Sequence, residues 1–144
     1  VDNILLIGIM TRGLPLAKRL AAIIEQVEGT QIEVYPLDIS SFRDDRETGS
    51  SIIKKPTALP VKDRKVILVD DVLFKGRTVR AAMDAIMHAG RAKEIQLAVL
   101  VDRGHRELPI RADYGGKNIP SSLQETVKVS VSDIDGYDKV AISR

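Results

Sequence analysis

The stretch from Val66 to Thr78, VILVDDVLFKGRT, constrains this chain more than any other. Val66, Ile67, Leu68 and Val69 run without a break into two adjacent acids, Asp70 and Asp71. Such an apolar run reads as a strand buried on both faces, as strands are in a parallel sheet. The acids then stand at the strand's carboxyl end, where open α/β sheets bind ligands. Val72, Leu73 and Phe74 link them to Lys75-Gly76-Arg77-Thr78, after which the pattern turns helical. A Gly-containing turn at a helix N-terminus offers backbone N–H groups to a phosphate. Acids beside a phosphate cradle make sense when the ligand also carries hydroxyls or a metal. A phosphorylated ribose carries both. An α/β domain with an acidic pair and no sugar phosphate would not need the glycine-threonine turn.

The rest of the chain repeats the strand-turn-helix grammar. Asn3 to Ile9 reads as a buried strand, followed by the turn Met10-Thr11-Arg12-Gly13. Pro15 suits the first turn of a helix. Leu16, Leu20, Ile23, Ile24 and Val27 fall at helical spacing, and Gly29 marks its stop. Gln31 to Ile39 alternates well enough for another strand. Val79, Ala82, Met83, Ile86 and Met87 line one face of a second helix that ends at Gly90, and Ile95 to Val101 is a further buried strand. This order predicts a mainly parallel sheet with helices on both faces. The Thr11-Arg12-Gly13 turn then shares a sheet edge with Asp70. Its hydroxyl, guanidinium and N–H groups make a second anion site.

The polar stretch Ser40 to Lys65 is long for a connection in a compact domain. It reads either as a solvated loop or as a lid, at about residues 43–60, that closes over ligand and excludes water. Arg43, Lys54 and Lys55 are its charge-compatible candidates. The tail has short alternating runs, Val127 to Val131 and Val140 to Ile142, around the acidic turn Asp133 to Asp138. These read as edge strands and a structural turn.

Composition removes several classes of function. The 144 residues carry a net charge of +2, so any nucleic-acid site must be a local patch. There is no cysteine, hence no thiolate nucleophile and no zinc-thiolate site. Aromatic residues are too sparse for a base-stacking platform. No apolar run is long enough to span a bilayer, and a soluble cytoplasmic protein is expected.

The Val66–Thr78 stretch resembles the binding motif of the type I phosphoribosyltransferases, which hold phosphoribosyl pyrophosphate (PRPP). The segment from Asp102 to Ser122, DRGHRELPIRADYGGKNIPSS, narrows the resemblance. It is similar to the pyrimidine operon attenuation regulators, bifunctional proteins that also carry uracil phosphoribosyltransferase activity. The likeness extends through Gly8 to Gly13 and Phe42 to Asp45 and covers nearly the whole chain.

That resemblance implies one domain of type I phosphoribosyltransferase fold, residues 1–144, with a flexible lid loop. It implies transfer of phosphoribosyl from Mg-PRPP to uracil, giving UMP and pyrophosphate. Asp70 and Asp71 would be the catalytic pair on the ribose hydroxyls. Mg²⁺ would ride on PRPP and water near them, with no direct protein ligand. Thr11, Arg12 and Gly13 would hold pyrophosphate. Val72, Leu73, Phe74, Lys75, Gly76, Arg77 and Thr78 would form the phosphate and nucleotide loop, with Arg103 at a nucleotide-contact position. His105, Arg106, Arg111 and Lys117 would bind RNA, the leader of pyrimidine biosynthesis mRNA, in a UMP-dependent way. A homodimer or homotetramer is expected. Two positions depart from the family pattern: Lys75 replaces a small hydroxyl residue, and Met10 replaces a basic or polar one. The lid is expected to be shorter than the family's, and the family's N-terminal helix to be absent. The alternatives are a phosphoribosyltransferase without RNA binding, for uracil or another base, and a nucleotide-binding regulator that has lost catalysis.

Overall fold

The apolar runs Ile4–Ile9 and Val66–Val69 become interior strands because both of their faces find a partner. A computed structural model describes residues 3–40 and 59–144. In chain order the elements are β1 (Ile4–Ile9), α1 (Gly13–Glu28), β2 (Glu33–Leu37), β3 (Lys65–Leu73), α2 (Arg77–Ala89), β4 (Glu94–Asp102) and β5 (Tyr114–Asn118). They are followed by β6 (Thr126–Ser130), α3 (Ser132–Asp135) and β7 (Lys139–Ser143). The first five strands form one parallel sheet in the order β2-β1-β3-β4-β5. The strand order reverses between β1 and β3, and such a reversal opens a crevice at the carboxyl ends of the two strands. The expected mainly parallel sheet flanked by helices is therefore present. The lid at about 43–60, apart from residues 59 and 60, lies outside the described residues, and so do Arg43, Lys54 and Lys55.

Alternate residues of β1 and β3 serve opposite layers, as the two-residue period of a strand requires. Leu5, Ile7, Ile9, Val66 and Leu68 pack with Val79, Ala82, Ala85 and Ile86 of α2. Leu6, Ile67 and Val69 pack with Ala17 of α1, and with Leu16, Leu20 and Ile24 at its margin. A third cluster joins Val101 of β4 to Val129 and Val131 of the tail. There β6 and β7 pair antiparallel as a separate two-stranded sheet.

The α1 layer departs from the periodicity. Ile23 and Val27 fall on the helical repeat but are 56% and 74% exposed. The residues of α1 that are buried are Gly13, Pro15 and Ala17, all near its start. The helix meets the sheet through small residues at one end, and its second half carries more apolar surface than the sheet beneath it covers. Close approach explains the small residues. A Cβ on Gly13 would lie 2.3 Å from the Val69 carbonyl oxygen, and one on Gly8 would lie 2.4 Å from the Leu14 Cα. Backbone rests on backbone at both points.

Two further differences concern strands. β2 is shorter than the expected Gln31–Ile39 span, and β5 forms where no strand is legible. All five β5 residues are exposed, and register with β4 holds them, Ala98 opposite Tyr114 and Asp102 opposite Asn118. No helix among the described residues is long and apolar enough to cross a membrane.

Gly13→Ala should destabilise the fold by about 1–3 kcal/mol, because the added methyl drives α1 away from β3. Gly115→Ala, where an added Cβ meets nothing within 4 Å, should stay within about 0.5 kcal/mol of wild type. Urea denaturation of the pair checks this, and equal effects would contradict the close-approach argument.

Candidate active site

Three strand ends and two helix starts converge on one edge of the sheet. The Thr11-Arg12-Gly13 turn follows β1 and sits on β3 at Val69 and Asp70, where a Cβ on Gly13 would come within 2.3 Å of the Val69 carbonyl oxygen. Asp70 and Asp71 lie within β3, which runs on through Leu73 beyond the expected apolar run, and Lys75 to Thr78 follow as the turn into α2. The end of β4 stands alongside, with Leu73 opposite Asp102 in register and the Arg103 N–H donating to the Leu73 carbonyl at 3.1 Å. The residues read from the sequence as two anion loops and an acidic pair are therefore brought together.

Both helices begin in a way that leaves their N-termini to a ligand. Neither α1 nor α2 has a side-chain cap or an acid in its first turn. The first N–H groups of a helix have no partner within it and carry the positive end of its dipole. Gly76 caps α2 with φ +96, a left-handed conformation that strains other residues. A cavity of about 350 Å³ opens over this turn, lined by Val72 to Val79 and by Glu107.

The acidic pair is asymmetric. Asp70 is only 7% exposed. Its Oδ1 accepts from the Asp71 N–H at 2.8 Å, and Asp71 Oδ1 accepts from the Val72 N–H at 2.8 Å. Burial, joined by the charge and hydrogen bond of the neighbouring Asp71, raises the Asp70 carboxyl well above the usual carboxylate range. Asp70 can thus donate a hydrogen bond at a pH where an ordinary carboxylate cannot.

Each cation read as a ligand contact already has a carboxylate or carbonyl partner. Arg12 donates through Nε at 3.2 Å and Nη2 at 2.9 Å to the two carboxylate oxygens of Asp135. These hydrogen bonds push the Arg12 guanidinium further up against partial desolvation, helped by the charges of Asp135 and Asp71. Glu107 meets Lys75 at 3.8 Å and Arg77 at 3.0 Å. Lys75 also lies 5.5 Å above the Phe74 ring, so its long chain runs along the rim of the turn. Arg103 is 6% exposed. Its guanidinium stacks 3.9 Å from the Phe74 centroid and donates to Ser121 Oγ and to the Ser122 and Glu125 carbonyls.

The four residues read as RNA-facing divide into two kinds. Arg111 and Lys117 are exposed, Lys117 on the edge strand β5. His105 is exposed too, and its Nε2 meets the Ser121 carbonyl oxygen. Arg106 is turned inward. It donates to the Ile110 carbonyl at 2.8 Å, the Phe74 carbonyl at 2.9 Å and Asp102 Oδ2 at 2.5 Å. Arg106 thereby ties the 104–110 turn to the phosphate turn. Burial opposes ionisation of Asp102, but the Arg106 and Gly104 hydrogen bonds win and hold its carboxyl below the usual range. Sequence reasoning missed Asp102, Glu107 and Asp135. Glu107 and Asp135 escape sequence reading because their cationic partners, Lys75 and Arg77 for the one and Arg12 for the other, lie far off in the chain.

Residues 2–133 match the family model for the phosphoribosyl transferase domain. Bifunctional protein PyrR 2 of Lactiplantibacillus plantarum is 54% identical over 144 residues, 99% of this chain and 83% of that protein. Bifunctional protein PyrR of Clostridium acetobutylicum is 57% identical over 145 residues, 99% of this chain and 82% of that protein. The chain belongs to the PyrR family of phosphoribosyltransferases. Solved phosphoribosyltransferases share the fold. The purine phosphoribosyltransferase of Pyrococcus horikoshii superposes with TM-score 0.61 at 26% identity, over 81% of this chain and 70% of that one. The hypoxanthine phosphoribosyltransferase of Trypanosoma cruzi, in complex with IMP, superposes with TM-score 0.66 at 20% identity over 86% of this chain. There the match spans 63% of the longer chain.

The buried acid gives a pH-dependent test. Asp70 holds its proton to a higher pH folded than unfolded. Its contribution to stability is therefore fully present below the unfolded value of about 3.9 and is lost as pH rises through the folded value. Asp70→Asn removes that loss. It should melt about 2–4 °C above wild type near pH 8, with the gap closing toward pH 4, by scanning calorimetry. A gap that ignores pH would rule out burial of the acid as its cause.

Proposed function

We propose that this chain is a bifunctional pyrimidine regulator. It converts uracil and PRPP to UMP and pyrophosphate, and it binds the leader RNA of pyrimidine biosynthesis genes when UMP is bound. The observation that carries the reading is the pair of uncapped helix starts flanking Asp70 and Asp71 at the β1/β3 reversal. PRPP has a phosphate at one end, a pyrophosphate at the other and ribose hydroxyls between them. Two anion sites around two acids match it group for group.

In the reaction the pyrimidine N1 forms a bond to the anomeric carbon and gives up its proton to solvent, and the bond from that carbon to pyrophosphate breaks. The turn Lys75 to Thr78 holds the 5-phosphate by backbone N–H groups and the Thr78 hydroxyl. Thr11, Arg12 and Gly13 hold the leaving pyrophosphate, whose charge the Arg12 fork meets by bidentate hydrogen bonds. Asp70 and Asp71 bind the ribose hydroxyls. Protonated Asp70 donates, while the carboxylate charge beside it favours the positive charge that develops on the ribose ring. Carboxylate oxygens suit a hard cation, so Asp71 would hold the waters of the Mg²⁺ carried by PRPP. That ion would neutralise pyrophosphate charge. Arg103 braces Phe74 and so shapes the nucleotide side of the crevice. Lys75, drawn to the rim by Glu107, leaves the cradle open to phosphate.

The RNA face rests on the exposed His105, Arg111 and Lys117; the inward Arg106 fixes the 104–110 turn that carries His105 and leads into Arg111, while Lys117 is placed by β5. A homodimer or homotetramer would repeat this face by symmetry and add avidity. PRPP and nascent RNA meet in the cytoplasm, where the protein would work.

Incubation with PRPP and uracil tests the enzymatic half. Pyrophosphate and UMP should appear in equal amounts, and Arg12→Ala should lower kcat/KM by about tenfold or more. No pyrophosphate release would leave a nucleotide-binding regulator without catalysis. For the regulatory half, RNA affinity should rise on adding UMP. The double variant Arg111→Ala, Lys117→Ala should flatten the slope of log affinity against log salt by about 1.5. An RNA affinity that neither UMP nor this variant changes would leave a phosphoribosyltransferase alone.

A further inference from the structure

The acidic turn between β6 and β7 is not accounted for by the reaction above, yet it reaches the anion loop. Asp135 accepts from Arg12, and its Oδ2 also accepts from the Val131 N–H at 2.8 Å. That second bond and the start of α3 fix the carboxylate in place. Arg12 is 31% and Asp135 17% exposed at the side chain, so water competes only in part. A second clamp lies further along α1. Arg19 meets Asp133 at 2.7 Å and Asp138 at 2.9 Å, and donates to Ser132 Oγ at 2.8 Å. The two-stranded tail sheet is thus held to α1 by two arginines, one of them inside the anion loop.

The geometry of the first clamp differs from simple anchoring. Asp135 approaches Arg12 from the side, on Nε and Nη2. A guanidinium has five N–H donors in a rigid plane. A side-on carboxylate uses one edge and leaves the end-on edge, Nη1 with the remaining Nη2 proton, directed away from it. Two oxygens of a diphosphate fit that second edge. A flexible arginine would lose much of its rotamer freedom on meeting the ligand, and one already fixed by a carboxylate loses less.

We infer that Asp135 is a positioning residue for pyrophosphate: it locks the Arg12 fork so that its far edge faces the anion loop, and so makes the tail sheet part of the PRPP site. The inference rests on the proposed role of Arg12 at pyrophosphate. Asp135 touches Arg12 and not the reacting atoms.

Steady-state kinetics and calorimetric titration with Mg-pyrophosphate test this on the full chain. Asp135→Asn should raise the KM for PRPP and the Kd for pyrophosphate about tenfold. It should leave kcat and the KM for uracil within about twofold, since a positioning loss weakens ground-state and transition-state binding alike. Asp138→Asn loosens the other clamp and should leave the KM for PRPP within about twofold. In an Arg12→Ala background, Asp135→Asn should have no further effect on pyrophosphate affinity. Equal losses from Asp135→Asn and Asp138→Asn would reduce Asp135 to a structural anchor and overturn the inference. Tighter pyrophosphate binding by Asp135→Asn would overturn it too, making Asp135 a competitor for Arg12. An Arg12→Ala variant that binds pyrophosphate like wild type would instead overturn the role of Arg12 itself.

Discussion

Direct contact between backbones at the start of α1 is the constraint on which the rest of the site depends. Gly8 and Gly13 let the first turn of the helix lie on β1 and on the end of β3 with no side chain between them. A methyl at either point would have to overlap main-chain atoms, which cannot rotate away as a side chain can. The turn Thr11 to Gly13 is thereby brought against Asp70. Without this approach there would still be an α/β sheet, since the two apolar layers on β1 and β3 do not need it. The Thr11–Gly13 turn and the acids would be further apart.

The carboxyl edge of the sheet gathers positive charge. Two helix starts and several cations face one edge, and a buried acid sits among them. The structure balances this with internal carboxylates. Asp135 holds Arg12, Glu107 stands between Lys75 and Arg77, and Asp102 holds Arg106. Most of these pairs are partly exposed, where a single ion pair contributes little to stability. Their effect is on direction: each fixes where a cation points. Asp70 is the exception, an acid kept out of water, and burial together with the neighbouring Asp71 charge raises its carboxyl above the usual range.

Partners far apart in the chain account for most of what sequence reading missed. Arg12 and Asp135 are separated by nearly the whole chain, and nothing in the acidic turn hints at a guanidinium waiting for it. Arg106 lies in a basic-looking stretch, yet Asp102, Phe74 and Ile110 take its donors. Its inward turn follows from the folding back of the 104–110 segment onto the phosphate turn. β5 shows the same limit on the backbone. Tyr-Gly-Gly-Lys-Asn has neither alternation nor β-propensity, and pairing along the β4 edge makes it a strand. Ile23 and Val27 erred in the other direction. Periodicity identifies an apolar face, but not how much of that face the neighbouring layer covers.

The sequence by itself determined the parallel sheet, the order of its main strands and helices, and the place of the acids and both anion turns at strand ends. Those features are local: unbroken apolar runs need two buried faces, and Gly or Thr at a helix start suits a phosphate. The resemblance of the Asp102–Ser122 segment to the pyrimidine regulators was legible there too. Tertiary structure alone decided the distances and the charge states. It brought Gly13 onto Val69, buried Asp70, turned Arg106 inward and joined Asp135 to Arg12. Each of these depends on which distant backbone or side chain fills the adjacent space, and periodicity in one segment carries no information about that.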